Sequence, residues 1–527
     1  MAHTKYWQVR IGSDRIGSDR IGSDCPSFNF LIQGDNLHSL KILEKTHRNK
    51  IDVIYIDPPY NTGNKDFIYN DRYVDNNDGY RHSKWLSFMS KRLEIAKNLL
   101  SKQGVIFISI DDNEQAQLKL LCDEIFGENN FIAELPTIMN LKGNQDEFGF
   151  AGTHEYTLCY ARNKIFCKLN EFIIPDEDIE NWLEDQKGYY KKGATLKRTG
   201  IDAPRNNRPK SYYPILVKNG KVFSIDEIEY NKIYDKDKKT FNDDYVEDLI
   251  EKYSQKGFYV VLPKISGEKT SWRWQYSKIK NESDEIIVTT INNEISLYKK
   301  QRPQLGEIPT KKPKTIFYKP EYSSGNGTKQ IKEIFGKKLF NNPKPIELIK
   351  DLLILSTDKN SIILDFFAGS GTTGHAVAQL NKEDGGNRTY ILCTNNENNI
   401  CEQVTYQRLK NIQKEFSHNL KYLETEFIPR FPEDEIGIQT KLMLHIKELI
   451  ELEYGCEIDG IRNILIQLED ELEDYLTEDL KIKARIFLSP YIFLDQTQNA
   501  LIHRKQAIVI EIPEYYFRNE LIEAGEL

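Results

Sequence analysis

At 527 residues the chain is too long for one ordinary hydrophobic core, and its 39% hydrophobic and 29% charged residues describe a globular protein of two or three domains. A net charge of −8 excludes a uniformly basic nucleic-acid-binding surface but leaves room for a local one. No apolar run approaches the ~20 residues that cross a bilayer and no signal core opens the chain, so a membrane role is excluded and a cytoplasmic location is expected.

Residues 10–24 repeat the unit RIGSD three times. The unit shows no apolar face at a period of 2 or 3.6, so residues 1–27 are expected to form a flexible arm. Repeated ATCGG returns to frame after five codons and encodes Ile-Gly-Ser-Asp-Arg, which points to a slippage-prone tract and phase-variable expression.

From Phe28 onward the chain alternates strands and helices. FNFLIQGD reads as a strand, Leu37, Leu40 and Leu43 mark a helix, and VIYI is a buried strand ending at Asp57. Leu86, Met89, Leu93, Ala96 and Leu100 recur at helical spacing, with the helix expected to stop at Gly104, before the strand VIFISI. This rhythm indicates a parallel α/β sheet. It lapses between residues 162 and 314, which are polar and rich in Lys, Tyr, Asn and Trp, and resumes with PIELIKDLLILST, SIILDFF, a glycine turn, a helix and RTYILCT. The acidic last hundred residues read as a separate appendage.

Two strand ends carry the chemistry. ILDFFAGSGTTGHA places Gly369, Gly371 and Gly374 as GxGxxG between a strand and a helix, with free N–H groups at the helix start turned to a ligand. That pattern suits a dinucleotide as well as another nucleoside-like cofactor, and a tight turn without a ligand is the plain alternative. Glu397 follows the next strand, where an acid accepts from ribose hydroxyls, and Glu402 is its rival. At the other end, Asp57-Pro58-Pro59-Tyr60 is a rigid corner with a carboxylate acceptor, free carbonyls and an aromatic face. If the two strands are neighbours, this corner suits a planar ring bearing an exocyclic amine. The bland reading is that Asp57 starts a turn and the prolines end a strand. The seven cysteines include no CxxC pair and read as free thiols, and no metal site is expected.

DPPY with DFFAGSG resembles the β group of S-adenosylmethionine-dependent DNA amino-methyltransferases. GDNLHSLKIL, DPPYNTG, GVIFISIDDNE, HEYTLCYARN, FNNPKPIELIK and NNENNICEQVTYQRLKNI, in that order, resemble the modification subunits of type III restriction–modification systems over most of residues 28–427. The resemblance implies a Rossmann-like three-layer α/β/α methyltransferase fold with an inserted target-recognition domain and a C-terminal α+β appendage. The expected domains are the arm 1–27, a catalytic half 28–161, a target-recognition domain 162–314, a cofactor-binding half 315–427 and a dimerisation or partner domain 428–527. Asp57, Pro58, Pro59 and Tyr60 would bind a flipped adenine. Asp365, Phe367, Ala368, Gly369, Ser370 and Gly371 would line the S-adenosylmethionine pocket, Glu397 would hold the ribose, and Lys344 with Pro345 would close over the methionine part. Asp in the corner, where relatives have Ser, points to N6 of adenine rather than N4 of cytosine. Only the methylated amine is acidic, so no histidine base is required; His38, His82, His154 and His375 read as packing or surface residues. Asp111 and Asp112 end a strand on the same side of the sheet and read as helix caps, with contact to a ligand as the alternative.

The insertion is the expected reader of double-stranded DNA. Lys191, Lys192, Lys197, Arg198, Arg205, Arg208, Lys210 and Arg273 are its phosphate- and base-contacting candidates, with Tyr189, Tyr190, Tyr212, Tyr213, Trp272 and Trp274 interleaved. A solvated basic loop is the bland reading. A homodimer and a separate restriction subunit are the implied partners, since no GxxxxGK[ST] helicase motif occurs. The rival functions are an orphan methyltransferase, action on RNA or cytosine N4, and a catalytically inactive DNA-binding regulator.

Overall fold

The computed structural model describes residues 5–16, 28–63, 66–69, 72–75, 77–143, 149–173, 182–291, 294–302, 310–429, 438–513, 516–518 and 521–522. They form two compact units, residues 1–171 with 313–527, and residues 172–312.

The first unit is built on a nine-stranded sheet. Its strands in chain order are β1 (Lys5–Ile16), β2 (Asn29–Gln33), β3 (Ile51–Ile56), β4 (Leu100–Ile110), β5 (Phe131–Ile138), β6 (His154–Ala161), β7 (Ile362–Asp365), β8 (Thr389–Thr394) and β9 (Leu420–Pro429). Their spatial order is β1-β9-β2-β8-β7-β3-β4-β6-β5. From β9 to β4 every pairing is parallel, while β1, β6 and β5 join by antiparallel ladders. The central strands β3 and β4 are buried at nearly every position, as a sheet covered on both faces requires. Helices α1 (Asn36–Thr46), α2 (Arg81–Leu99) and α3 (Gln115–Phe126) pack in a row, and α4 (Ile346–Ser356) packs on α5 (Thr372–Asp384). This is the Rossmann-like α/β fold.

Local sequence explains the elements. Asp35 caps α1 by accepting from the Leu37 N–H at 2.9 Å, and α2 buries Trp85, Met89, Leu93, Ala96 and Leu99 at helical spacing. Buried polar side chains lock strands together. Asn29 donates to the Asn419 carbonyl and accepts from the Tyr390 N–H, both at 2.8 Å; Asp52 accepts from the Ile362 N–H at 3.0 Å and from the Ser101 hydroxyl at 3.2 Å.

Four expectations are corrected. The helix α2 ends at Leu99, not Gly104, and passes directly into β4; a Cβ at Gly104 would lie 2.9 Å from the Ile51 carbonyl, so the glycine serves the approach of β4 to β3. Residues 5–16 are a strand rather than a flexible arm: KYWQVRI alternates polar and apolar residues and pairs with the edge of β9. The ladder shifts register between Ile11 and Arg15, across Gly-Ser-Asp of the first repeat; residues 17–27, with the remaining repeats and Cys25, lie outside the described residues. The chain beyond residue 428 is not a separate appendage, because Ile446, Leu449, Ile450 and Leu452 join the main core; a small parallel sheet of Asn463–Ile466, Arg485–Leu488 and Ile508–Glu511 follows. The insertion is also shorter than residues 162–314, since the Asn170 side chain donates to the Ile354 and Thr357 carbonyls and holds its approach to the first unit.

The second unit has its own core of Tyr212, Tyr213, Leu216, Trp272, Trp274, Ile279 and Leu297 between antiparallel sheets. No helix among the described residues is long and apolar enough to cross a membrane. In the first unit, Gly374 lets α5 touch β8: a Cβ there would meet Leu409 Cδ2 at 2.9 Å and Leu392 Cδ1 at 3.0 Å. Gly374→Val should lower unfolding stability by about 1–3 kcal/mol, read from denaturant melts.

Candidate active site

β3 and β7 are hydrogen-bonded neighbours, with Val53 opposite Ile363 and Ile54 opposite Leu364. Asp57 and the turn after Asp365 therefore leave the sheet side by side, at the carboxyl ends of strands. From β7 the chain winds to β8 on one side, and from β3 to β4 on the other, so this is the crevice where strand order reverses.

The Asp-Pro-Pro-Tyr corner is braced from beneath. The Trp85 indole donates to the Pro59 carbonyl at 2.7 Å, so that carbonyl is not available to a ligand as the bare sequence suggests. Buried Asn61, in a left-handed conformation at φ 58°, donates to Glu114 Oε1 at 2.6 Å, which His82 also meets at 2.7 Å. The Tyr60 hydroxyl lies 2.9 Å from Asp57 Oδ1 and 3.1 Å from Glu155 Oε2. Lys344 Nζ is 2.6 Å from the Tyr60 hydroxyl, 2.5 Å from Glu155 Oε2 and 3.5 Å from Asp57 Oδ1. Burial pushes the Asp57 carboxyl up, against the pull of the Lys344 ammonium. Burial disfavours the Lys344 charge, but Asp57 and Glu155 outweigh it and raise its pKa. The Tyr60 phenol is pushed up by burial and by the same two carboxylates, so it stays protonated and can donate.

The glycine turn is equally organised. Gly369 and Gly371 adopt φ of +49° and +77°, where side chains are rare, and Cβ atoms there would meet Phe340 and Thr405, each at 3.1 Å. Asp365 accepts from the Phe367 N–H at 3.0 Å and from the Thr373 hydroxyl at 2.5 Å. The Ala368 and Gly371 N–H groups bond to the Cys393 and Ala368 carbonyls. Asp365 and these two amides thus shape the turn. Pro345 caps α4, and the Lys344 carbonyl accepts from the Thr372 hydroxyl at 3.2 Å, which ties the NPKP segment to the turn. A Cβ on Gly327 would lie 2.0 Å from the Pro343 carbonyl, so that segment is also packed from behind.

Residues that no motif reading singled out complete the frame. Asn36 donates to the Phe366 carbonyl at 2.8 Å and is held by Arg92 at 2.6 Å, whose guanidinium lies 3.6 Å over the Phe88 ring. Phe88 in turn neighbours the half-buried Phe367. Fully buried Arg408 binds the Ser370 carbonyl, the Ser370 hydroxyl and the Thr372 hydroxyl; burial lowers its pKa to about 9. An aromatic face at Phe367, beside a glycine turn and exposed Glu397 and Glu402 after β8, fits a nucleoside-bearing cofactor. Glu397 opens an irregular turn in which Asn398 and Asn399 have φ of 53° and 58°, and Glu402 stands in the first turn of the π-helix Ile400–Tyr406 that follows.

Asp111 and Asp112 are not helix caps. Asp111 accepts from the Asn113 N–H at 2.9 Å, one turn before the α3 cap at Glu114. His375 packs beside Phe416, and His154 stands against Tyr156.

In the second unit the sequence candidates divide. Lys192, Arg208, Lys210 and Arg273 are exposed, whereas Lys191, Lys197 and Arg198 are half-buried. Arg205 forms a two-pronged pair with Asp243 at 2.6 and 2.8 Å and covers the Phe241 ring, so it braces its own unit. Tyr212, Tyr213, Trp272 and Trp274 are core rather than a stacking surface; the Trp272 indole donates to the Tyr213 carbonyl at 2.8 Å.

Carboxylate corner, glycine turn and buried lysine together resemble the amino-methyltransferase class. A DNA methylase family profile matches residues 51–406, more than half of the chain. The protein belongs to the DNA methylase family. It is 47% identical over 397 residues to the EcoPI Mod subunit, a type III restriction-modification enzyme subunit from Escherichia phage P1, covering 70% of this chain and 58% of that one. It is 31% identical over 409 residues to the type II methyltransferase M.KpnI of Klebsiella pneumoniae, covering 77% and 89%. The StyLTI Mod subunit of Salmonella typhimurium is 31% identical over 418 residues, covering 74% and 56%. The chain thus spans a little over half the length of these two Mod subunits.

Burial raises the Asp365 carboxyl to about 7. Its folded pKa exceeds the unfolded value, so the folded state binds more protons and stability falls as pH rises from about 4 to about 7. Asp365→Asn keeps both hydrogen-bond positions without this titration. Isothermal denaturant melts should show the variant gaining on wild type across that window, by at most about 4 kcal/mol.

Proposed function

We propose that the protein transfers a methyl group from S-adenosylmethionine to N6 of an adenine flipped out of a DNA duplex, as the modification subunit of a type III restriction–modification system. The observation that carries this reading is the pairing of β3 with β7, which sets Asp57 and Tyr60 beside the glycine turn. When bound, S-adenosylmethionine supplies an electrophilic methyl group. Phe367 and the exposed acid Glu397, or Glu402, would hold its nucleoside, and the Lys344–Pro345 segment would close over the remainder.

The acceptor side follows from the corner. Flipping costs a few kcal/mol, which contacts to DNA must offset. Tyr60 offers a face for the extruded base, and Asp57 accepts from the exocyclic amine, drawing its lone pair out of the ring and toward the methyl group. An anionic acceptor at this position favours adenine N6, and the amine needs no prior deprotonation. Exposed Lys192, Arg208, Lys210 and Arg273 of the second unit are the proposed DNA-binding side chains, with Lys191, Lys197 and Arg198 in support. A second copy of the chain and a nuclease–helicase subunit are the proposed protein partners, by similarity to chains named Mod subunits. Expression switched by the repeat tract is part of the same proposal.

Modification-sensitive single-molecule sequencing of DNA from cells expressing this chain should reveal N6-methyladenine in one short, non-palindromic motif, on one strand. Asp57→Ala should remove it. Methylation confined to cytosine, or persisting in Asp57→Ala, would overturn the reading. Replacing Arg208, Lys210 and Arg273 with Gln should weaken DNA binding and flatten the slope of log affinity against log salt by about 0.9 for each phosphate no longer neutralised. An unchanged slope would remove these three from the interface.

A further inference from the structure

The corner holds two carboxylates and one ammonium, and their distances are unequal. Lys344 Nζ is 2.5 Å from Glu155 and 3.5 Å from Asp57. The Lys344 side chain is 9% exposed, against 28% for Asp57 and 27% for Glu155. Its ammonium also lies 5.0 Å from the centre of the Tyr60 ring. A cationic N–H donor therefore stands beside Asp57 and at the hydroxyl end of Tyr60, next to the carboxylate that an exocyclic amine must reach.

We propose, resting on the reading of Asp57 and Tyr60 as the receptors of the target amine, that Lys344 is the group the entering base displaces and that Glu155 is a positioning residue which draws the lysine away from Asp57.

The charges require such a partner. With Lys344 paired to Glu155, the trio's remaining negative charge rests on Asp57 and is available to the amine. With Glu155 neutral, the carboxylate left to the ammonium among the described residues of the corner is Asp57, and the acceptor is both neutralised and occupied. The framework matches this division of labour. Glu155 sits on β6, opposite Thr137 of β5, in a hydrogen-bonded ladder. Lys344 lies before α4, outside any strand, with its carbonyl anchored to Thr372. Its flexible four-carbon stem can swing while its backbone stays on the cofactor turn. The lysine also supplies a donor to the Tyr60 hydroxyl oxygen, whose own proton is directed at Asp57 or Glu155.

The test uses the full chain and a duplex carrying the motif found modified in cells, in single-turnover methylation with S-adenosylmethionine binding measured separately. Glu155→Gln should slow the transfer at least tenfold with cofactor Kd changed less than twofold. Lys344→Met added to Glu155→Gln should then make the enzyme faster than Glu155→Gln alone, because the misplaced cation is gone. A double variant equal to or slower than Glu155→Gln would overturn the proposal, as would Glu155→Gln at wild-type rate. If Glu155→Gln does not fold, Glu155→Asp takes its place in the same comparison. Asp57→Ala run alongside separates the two levels: methylation surviving there defeats the underlying reading, whereas its disappearance with an additive Glu155–Lys344 pair defeats only this one.

Discussion

The lateral pairing of β3 with β7 is the constraint on which the rest depends. These strands are some three hundred residues apart in sequence, yet two Cα pairs, Val53 with Ile363 and Ile54 with Leu364, bring their carboxyl ends together. A parallel ladder between them demands crossover connections, and the chain uses helices on both faces for that purpose. Asp52 reinforces the seam by accepting from the first N–H of β7. With the seam in place, a carboxylate corner and a glycine turn share one crevice without further adjustment. Without it, each motif is merely a turn.

The legible parts of the fold and site were those whose meaning is local. Asp57 through Tyr60 and Gly369 through Gly374 announce themselves because a strand must end there in unusual residues. The illegible parts were those whose role exists only across space. Glu155, Asn36 and Arg408 lie within stretches that carry the family resemblance, yet nothing local gives them or Arg92 a role; their work is visible only once Lys344, Phe366, Phe88 and Ser370 are seen beside them. Composition misled in the insertion, where Tyr212 and Trp272 among lysines and arginines resemble a stacking surface. Tyr212 instead lies edge-on to the Phe241 ring inside the unit, under the Arg205 guanidinium, and the Trp272 indole finds a backbone carbonyl. Gly104 read as a helix stop because glycine is common there, whereas packing of β4 on β3 uses the same missing Cβ inside a strand. Trp7, Val9 and Ile11 show a period of 2 that the more conspicuous pentapeptide beside them concealed.

Charge inside the first unit is arranged by sharing rather than by one-to-one pairing. Arg408 directs one guanidinium nitrogen to three oxygens of the glycine turn and the start of α5. Arg92 divides itself between Asn36, the Phe88 carbonyl and Asp35. Lys344 serves two acids and a phenol. Cations shared among several acceptors hold more than one segment in place at once.

The strand β1 meets the sheet through Lys5–Val9, the Arg-Ile that opens the first repeat and the Arg-Ile that opens the second. A tract of identical units has no memory of where a unit was inserted. A gain of one whole pentapeptide therefore leaves the twelve residues of β1 letter for letter the same, and the added length falls entirely between Ile16 and β2. The sheet edge is in this sense insulated from growth of the tract. Shrinkage is not symmetrical: reduced to a single copy, the tract would replace Arg15 and Ile16 by Cys and Pro, and proline cannot donate to the ladder. Two copies are the shortest tract that keeps this edge whole.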